Sequence, residues 1–392
     1  MKWIDFFQMK IVRIWSNPWL IVILTATLYL GIVLSLHDWD PLALVLQGTR
    51  FTTGSSFGSE GYDGQFVYQI ALRPTAAMAY LDVPAYRYQR IFYPLLARWL
   101  ALGQPALIPW TLPLINLAAL GIGTWLAGRL LERSATNPWF ALPVGLFAGQ
   151  LLSLRVDLPE PLALTLALGG MLLIERTQRI PSTASVAAQT YITHWPGLVT
   201  GATLFALGAL TKETMLLTAA GYGLYLGLAR SWRPAFLLAV IAAGPFVLWQ
   251  GVLWLWLGQP GIGSGGAGAT PFELIPFGGL LRTAEAGWKV LALFALIMLP
   301  LAVLPALWSL GASARDICRH QWHPRTFALL TNALVIPFLP FSTFREPLAM
   351  LRFLSPLVAM VVLFGGLKRS RRVLMYSLLW LASAVFLLKD VS

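Results

Sequence analysis

Long apolar stretches alternate with short polar ones along the whole chain, and this pattern predicts the main elements. Most apolar stretches are about 17–25 residues long, enough for one helix to cross a hydrocarbon layer of about 30 Å. The pattern therefore predicts an all-α polytopic membrane protein, a single membrane domain over residues 1–392 with about eleven transmembrane helices. The predicted spans are 18–37, 107–130, 138–154, 158–175, 196–211, 213–229, 234–257, 288–310, 326–343, 347–366 and 373–389.

Two of the polar connections are much longer than a hairpin requires, and loops of such length are usually functional or disordered. The first, residues 38–106, contains a helix predicted to begin near Gln65 and an interfacial helix predicted over 91–103. The second is residues 258–287, and its first part, 258–279, begins with a glycine-rich run and ends in apolar residues. We interpret the glycine run as a flexible loop rather than a phosphate cradle, because no helix start follows it closely.

Composition agrees with a membrane protein, since 57% of the residues are hydrophobic and only 11% are charged, against about 25% charged in soluble domains. The first apolar run, Trp19–Leu36, follows three basic residues and precedes no small-residue cleavage site, so it is interpreted as an uncleaved signal anchor. Cys318 is the single cysteine, which excludes an intrachain disulfide. Outer carboxylates are numerous enough for a divalent metal, but no ligand spacing indicates one, and no cofactor is predicted.

The charges are distributed unevenly between the predicted sides of the membrane. If the N-terminus is cytoplasmic, the inner segments carry 16 of the 28 basic residues and four of the 16 acidic ones, so they hold the whole formal excess of +12. This asymmetry follows the positive-inside rule and predicts a cytoplasmic N-terminus and an extracytoplasmic C-terminus. The basic pI is then a topology signal, so membrane lipids rather than nucleic acid are the expected surroundings.

Ionisable groups from five separated segments fall near the predicted outer ends of the spans, where such groups are costly and by default functional. Each group alone is as well explained by an interfacial ion pair or by turn chemistry, but their shared level predicts an outward-facing polar pocket, roofed by the first loop. The candidates are Glu60, Tyr62, Asp63, Gln65 and Tyr68 in SEGYDGQFVYQIA; Arg87 and Arg90 in YRYQR; Asp157 and Glu160 in VDLPEP; Lys212 and Glu213 in TKET; Arg345 and Glu346 in FREP; and Arg352.

These residue types suit transfer of a sugar from a lipid phosphate. Arg87 and Arg90 are three residues apart and would be neighbours on one helical turn. Arg345 and Arg352 would share a face if one helix contained both, and arginine forks bind phosphate oxygens bidentately, with Lys212 adding a point charge. A carboxylate could take the proton of an acceptor hydroxyl as it attacks the anomeric carbon, while the cations stabilise the departing phosphate. Nucleotide sugars are not available outside the cytoplasm, so a donor delivered within the membrane is expected.

The long first outer segment with an early acidic residue, a following interfacial helix and about eleven spans resembles the GT-C class of membrane glycosyltransferases. More closely, GYDGQFVYQIA and LDVPAYRYQRIFYPLLA, together with LTKET and FREPLAMLRFLSPL, resemble a bacterial family linked to cell-surface glycopolymer formation. The resemblance implies a bacterial inner-membrane enzyme with a polyprenyl-phosphate sugar donor, a glycan, lipid or protein acceptor, and a catalytic carboxylate in the first outer loop. Asp63 matches that position best, and Glu60 is the alternative.

A transporter or flippase of a lipid-linked glycan intermediate would also need spans, a polar cavity and phosphate-binding cations. Such proteins often contain internal repeats and a polar site at mid-membrane. We find no repeat, and the ionisable groups are predicted to gather at the outer level without a matching inner set. A path across the bilayer should be polar at both ends, so the sequence favours the enzyme.

Overall fold

The computed structural model of the protein describes residues 17–54, 57–179, 191–192 and 195–390, and helices dominate these residues. Two residues, Gln178–Arg179, pair antiparallel with Tyr191–Ile192. The α-helices are α1 Pro18–Ser35, α2 Leu42–Val45, α3 Thr49–Thr52, α4 Gly64–Leu72, α5 Pro84–Tyr88, α6 Phe92–Leu100, α7 Ile108–Glu132, α8 Leu142–Leu146, α9 Ala148–Arg155, α10 Glu160–Thr177, α11 Trp195–Thr211, α12 Met215–Leu228, α13 Trp232–Leu257, α14 Gly278–Leu281, α15 Trp288–Met298, α16 Leu304–Cys318, α17 Pro324–Val335, α18 Phe341–Arg345, α19 Pro347–Leu367, α20 Arg371–Ser377 and α21 Leu379–Ala382.

Five helical stretches in the described part of the chain are long and apolar enough to cross a membrane, as expected of a membrane-embedded protein. They are Pro18–Ser35, Pro105–Glu132, Trp232–Leu257, Trp288–Cys318 and Pro347–Leu367. The fourth combines α15 and α16 through a π-helical turn, Leu299–Val303. Pro300 in that turn has no N–H to donate, which is a common cause of such a local widening.

The other six predicted spans are helical but shorter, more charged or interrupted, and the count of eleven therefore stays a prediction. The stretch 138–154 is divided where Phe147 takes an extended backbone between α8 and α9. The stretch 326–343 is interrupted near Pro337 and Pro340, which cannot donate helical hydrogen bonds. The stretch 373–389 contains α20, α21 and a 3₁₀-helix, Ser383–Asp390.

Helix α19 is the centre of the fold. In its most apolar window 78% of the residues are buried inside the protein, against 22% for α13 at the periphery. A glycine allows α9 to approach α19 closely, because a Cβ on Gly149 of α9 would collide with the backbone of Leu351 in α19. Burial of α19 on all sides explains why it is apolar around its whole circumference.

Residues 38–106 contain the helices that the sequence predicts. A helix was expected near Gln65, and α4 begins one residue earlier, at Gly64. The interfacial helix expected over 91–103 is α6, Phe92–Leu100, followed by a turn. The basic residues before the first span, Lys2, Lys10 and Arg13, and most of the predicted inner link Thr177–His194 lie outside the described residues.

The two ends of helix α10 mark the two ends of the helical bundle. Glu160 begins this helix and Glu175 lies in its last turn. Their 15-residue separation corresponds to about 22 Å along a helix axis. We call these the Glu160 end and the Glu175 end.

Candidate functional site

Asp63 occupies a turn whose shape depends on the two flanking glycines. Gly61 has a φ of +67°, a left-handed conformation that favours glycine. Gly64 begins α4, and a Cβ there would collide with the carbonyl oxygen of Val156. Both glycines are therefore required by the backbone path, which holds Asp63 at the N-terminus of α4 against the α9–α10 connection.

Two arginines from distant segments hold the Asp63 carboxylate. Arg87 Nη2 lies 3.0 Å from Oδ1, and Arg352 Nη2 lies 3.4 Å from Oδ2. Burial alone would raise the pKa of the Asp63 carboxyl, but the charges of Arg87 and Arg352 outweigh it and hold that pKa well below its ordinary value. The side chain remains 32% exposed, so the carboxylate is ionised and accessible.

Asp82 orients Arg87 and was missed as a site residue by the sequence reasoning, although it lies in the quoted segment LDVPAYRYQR. Arg87 donates to both carboxylate oxygens, from Nε to Oδ1 at 2.7 Å and from Nη2 to Oδ2 at 2.8 Å. The backbone N–H of Val83 also donates to Oδ1. Burial raises the pKa of Asp82, but the Arg87 hydrogen bond and charge lower it by more. An acid five residues before an arginine was the available sequence signal.

Two further ion pairs adjoin Asp63 and Arg87. Arg90 donates to both oxygens of Glu213, at 2.9 and 2.7 Å, and also to the Tyr86 hydroxyl at 2.9 Å. Lys212 Nζ lies 2.5 Å from Glu160 Oε1. The first pair joins residues 38–106 to the α11–α12 turn, and the second joins that turn to the start of α10.

These five ion pairs form one electrostatic unit, which we call the charged cluster. Arg90 acts on Asp63 through its charge, and Arg352 acts on Glu160 as well as on Asp63. Four acids and four bases leave no formal net charge. The members are Asp63, Asp82, Glu160, Glu213, Arg87, Arg90, Lys212 and Arg352.

The glycine-rich segment covers part of this cluster. The Ala267 N–H donates to Asp82 Oδ2 at 3.0 Å. A Cβ on Gly266 would lie 3.2 Å from Arg87 Nη2 and 3.3 Å from Tyr86 Cε1. On its other side the segment is bound to the chain before α19, where the Thr270 N–H donates to the Ser342 hydroxyl. The first loop was expected to be the roof, and the structure adds this second cover.

A narrow cleft runs from the cluster into apolar surroundings. Asp63, Arg87 and Arg90 form its polar part, and its water-accessible space is about 20 Å³, which suffices for about one water molecule. Its apolar lining consists of Phe66, Val67, Ile70, Pro94, Leu158 and Pro159. The cleft is thus polar at one side and apolar at the other, and in this closed form it holds no larger molecule.

Three of the predicted site residues lie apart from the charged cluster. Glu60 pairs with Arg50 at 2.8 Å and its side chain is 77% exposed. Arg345 and Glu346 lie 3.9 Å from each other on the surface. The condition under which Arg345 and Arg352 would share a helical face is not met, because Glu346 has an extended backbone and α19 begins only at Pro347. Proline at the first helical position starts a new helix there.

The predicted pocket residues of the first loop have different positions. Tyr62 lies beside the cluster, with the Arg352 guanidinium 5.2 Å from its ring centre. Gln65 is a structural residue, since its side chain accepts from the Gly48 N–H and donates to the Glu60 carbonyl. Tyr68 is half-buried against a separate cluster of buried apolar side chains around α6 and α7. Of these three, only Tyr62 contacts a member of the charged cluster through an interaction that the structure defines.

Asp157 is fully buried next to the cluster. Neither of its carboxylate oxygens has a hydrogen-bond partner among the described residues, and its backbone is left-handed, with a φ of +51°. Burial raises the pKa of this carboxyl well above its ordinary value, although the Arg155 charge opposes the shift. Burial therefore favours the protonated form of Asp157, whereas the arginines favour the ionised form of Asp63.

The Glu175 end also carries buried ionisable groups, and the expectation that no inner set exists is wrong. Arg325 donates to both oxygens of Glu175 at 2.9 and 2.7 Å. It also donates to the Ser134 hydroxyl and the Leu130 carbonyl, while the Tyr222 hydroxyl donates to Glu175. These contacts tie α17 to α10, to α7 and to Ser134 just after α7, and they tie α12 to α10, as in a structural crosslink.

No group of three or more histidine, cysteine, aspartate or glutamate side chains in the described ranges has the geometry of a metal site. Comparison of the chain with protein-family models, with curated proteins and with solved structures finds no match.

Proposed function

We propose that this chain is a membrane glycosyltransferase. It moves a sugar from a polyprenyl-phosphate donor to a glycan, lipid or protein acceptor of the cell envelope at the extracytoplasmic face. The proposal includes the eleven-span topology of the GT-C class, a cytoplasmic N-terminus and an extracytoplasmic C-terminus. It rests on one observation above others, the Asp63 carboxylate held between Arg87 and Arg352.

The arrangement supplies both groups that the reaction needs. Arg87, Arg90, Arg352 and Lys212 are the cations available to the donor phosphate, and guanidinium forks match its oxygens. Asp63 takes the proton of the acceptor hydroxyl as the hydroxyl oxygen bonds to the anomeric carbon. The bond between that carbon and the phosphate oxygen breaks, and the polyprenyl phosphate departs with its charge stabilised by the cations.

Donor binding also prepares the base. In the free protein the two guanidinium groups hold the pKa of Asp63 low, which makes its carboxylate a weak base. A phosphate that takes over Arg87 and Arg352 removes this stabilisation, so the pKa of Asp63 rises. Base strength is then greatest when the donor is present.

The cleft supports a lipid-borne donor. Val67, Ile70 and Pro94 line the side away from the charges, which suits the first units of a prenyl chain beside its phosphate. Because the cleft is closed to anything larger than water, the donor binds only after its walls move. We infer that the glycine-rich segment over Arg87 moves with them. Glycines at positive φ, Gly263 and Gly268, give this segment the backbone freedom to do so.

A release assay tests the proposal. Membranes carrying the protein and a labelled polyprenyl-phosphate sugar should yield free polyprenyl phosphate. Asp63→Asn keeps the size and removes the charge, and it should lower release by about 10²-fold or more. Asp40→Asn, an exposed aspartate of the same loop, is the matched control. Unchanged release in Asp63→Asn refutes the base assignment, and loss in Glu60→Gln instead would transfer it to Glu60.

A transporter of a lipid-linked intermediate is the second candidate, and one observation favours it. Helix α10 carries charged groups at both ends, Glu160 and Glu175. Transport would move the labelled lipid across sealed vesicles without releasing polyprenyl phosphate. Glu175 and Arg325 are bonded to each other and Tyr222 donates to Glu175, so this buried pair offers no free group to a transported substrate. The enzyme is therefore the better-supported function.

A further inference from the structure

A second cavity lies at the Glu175 end, between the last turns of α7 and α10, far from the charged cluster. It has a volume of about 240 Å³ and is lined by Arg129, Glu132, Arg133, Leu172 and Arg176. Helices α7 and α10 pack side by side along their length. Arg176 is 16 residues from Glu160, or about 24 Å along the helix.

The lining of this cavity has an excess of positive charge. Glu132 pairs with Arg129 at 2.7 Å. Arg133 donates to the Glu175 backbone carbonyl at 3.0 Å, and the Glu175 carboxylate is 3.9 Å away and already bound by Arg325. No ion pair joins Arg176 to another of the described residues. Three arginines thus face one lining carboxylate, unlike the charge-balanced cluster around Asp63.

The exposed stripe of α7 shows what adjoins the cavity. Successive exposed positions of this helix, spaced three or four residues apart, are Leu114, Ala118, Ile122, Trp125, Arg129 and Glu132. The stripe is apolar up to Trp125 and charged from Arg129 onward. An apolar stripe that ends in tryptophan and then arginine is typical of a helix leaving the hydrocarbon layer.

We propose that the cavity binds the phosphate headgroup of an acidic phospholipid. Arg129, Arg133 and Arg176 contact the phosphate oxygens, and one acyl chain lies along Ile122 and Trp125. Basic pockets between spanning helices at the cytoplasmic surface are suited to such headgroups. A free phosphate would use the arginines but not the apolar stripe, so the stripe favours a lipid. This inference does not depend on the glycosyltransferase proposal.

The test measures lipid binding by the full-length protein in detergent micelles. Phosphatidylglycerol is titrated, and the bound lipid is counted by mass spectrometry of the intact protein, with phosphatidylcholine and soluble glycerol phosphate as parallel ligands. The double variant Arg129→Gln/Arg176→Gln should bind phosphatidylglycerol roughly tenfold more weakly, because two basic contacts are lost. Phosphatidylglycerol with a brominated acyl chain should quench part of the tryptophan fluorescence of the wild-type protein. This quenching should be missing in Trp125→Phe.

The matched control is Arg230→Gln/Arg233→Gln. These exposed arginines flank the α12–α13 turn at the same end of the bundle but do not line the cavity, and the change in net charge is identical. The control should bind phosphatidylglycerol within about twofold of the wild type. Equal loss in both double variants would assign the effect to general surface charge and overturn the site. Equal binding of phosphatidylcholine or of glycerol phosphate would overturn the acidic-lipid assignment.

Discussion

Arg352 and Asp63 are 289 residues apart in the chain, and their side chains are in contact, with Arg352 Nη2 3.4 Å from Asp63 Oδ2. Arg352 lies in the second turn of α19, the most buried of the long helices. The Arg352 guanidinium is therefore carried by the most buried helix, whereas Arg87 lies in the segment 38–106, beneath the glycine-rich cover. Asp63 therefore contacts one arginine of the buried helix α19 and one arginine that lies under the glycine-rich segment.

Asp82 is expected to be a positioning residue for Arg87. Asp82→Asn removes the bidentate charge contact, so Arg87 loses its fixed orientation toward Asp63. Misplacement by about 1 Å can cost about 10²-fold in rate, and we expect kcat for polyprenyl phosphate release to fall roughly tenfold to a hundredfold. The thermal midpoint should fall less than in Glu175→Gln, because Arg87 keeps its ion pair with Asp63. A large loss of stability with unchanged kcat in the remaining folded protein would contradict the positioning role.

Gly266 is expected to tolerate no side chain in the closed state. Gly266→Ala places a methyl group 3.2 Å from Arg87 Nη2, so the Arg87 guanidinium is displaced from Asp63, and release activity should fall several-fold. Gly263→Ala is the control, since nothing lies near that position but its φ of +83° strains an alanine. If only Gly263→Ala lost activity, the backbone conformation of the loop, and not its close approach to Arg87, would control the release activity.

The Glu175–Arg325 pair is expected to stabilise the fold. Both side chains are almost fully buried, so Glu175→Gln leaves an uncompensated guanidinium and should lower the free energy of unfolding by about 3–5 kcal/mol. Thermal unfolding in detergent measures the change. Glu285→Gln breaks the exposed pair with Arg282 and should change the free energy of unfolding by no more than about 1 kcal/mol. Equal shifts in the two variants would contradict the structural role.

Asp157 gives the protein a stability that depends on pH. Its folded-state pKa is raised above the unfolded value, so its contribution is fully present below the unfolded pKa of about 4 and is lost as pH rises through the folded pKa. Asp157→Asn keeps the neutral form, and asparagine accepts the left-handed backbone. The variant should therefore gain stability relative to the wild type as pH rises above about 4. A constant difference in thermal midpoint across that range would contradict the shift.

The sequence by itself determined the helical membrane class, because spanning helices require long apolar runs and these are visible without coordinates. It also located α4 and α6 and most members of the charged cluster, since ionisable residues at membrane depth are rare and conspicuous. The role of Asp82 was signalled only by its spacing from Arg87, and that of the glycine-rich cover was not signalled, because an acid in a loop and a glycine run have many local uses.

Only the tertiary structure decided which charges meet. Spacing suggested that Arg345 would accompany Arg352, but an extended residue and a proline start a new helix between them and turn Arg345 outward. Glu60 lies three residues from Asp63 and still faces solvent, because Gly61 reverses the backbone. The buried pair at the Glu175 end joins α10 to α17 across 150 residues. Ion pairing depends on distances in space, and packing of distant helices sets those distances.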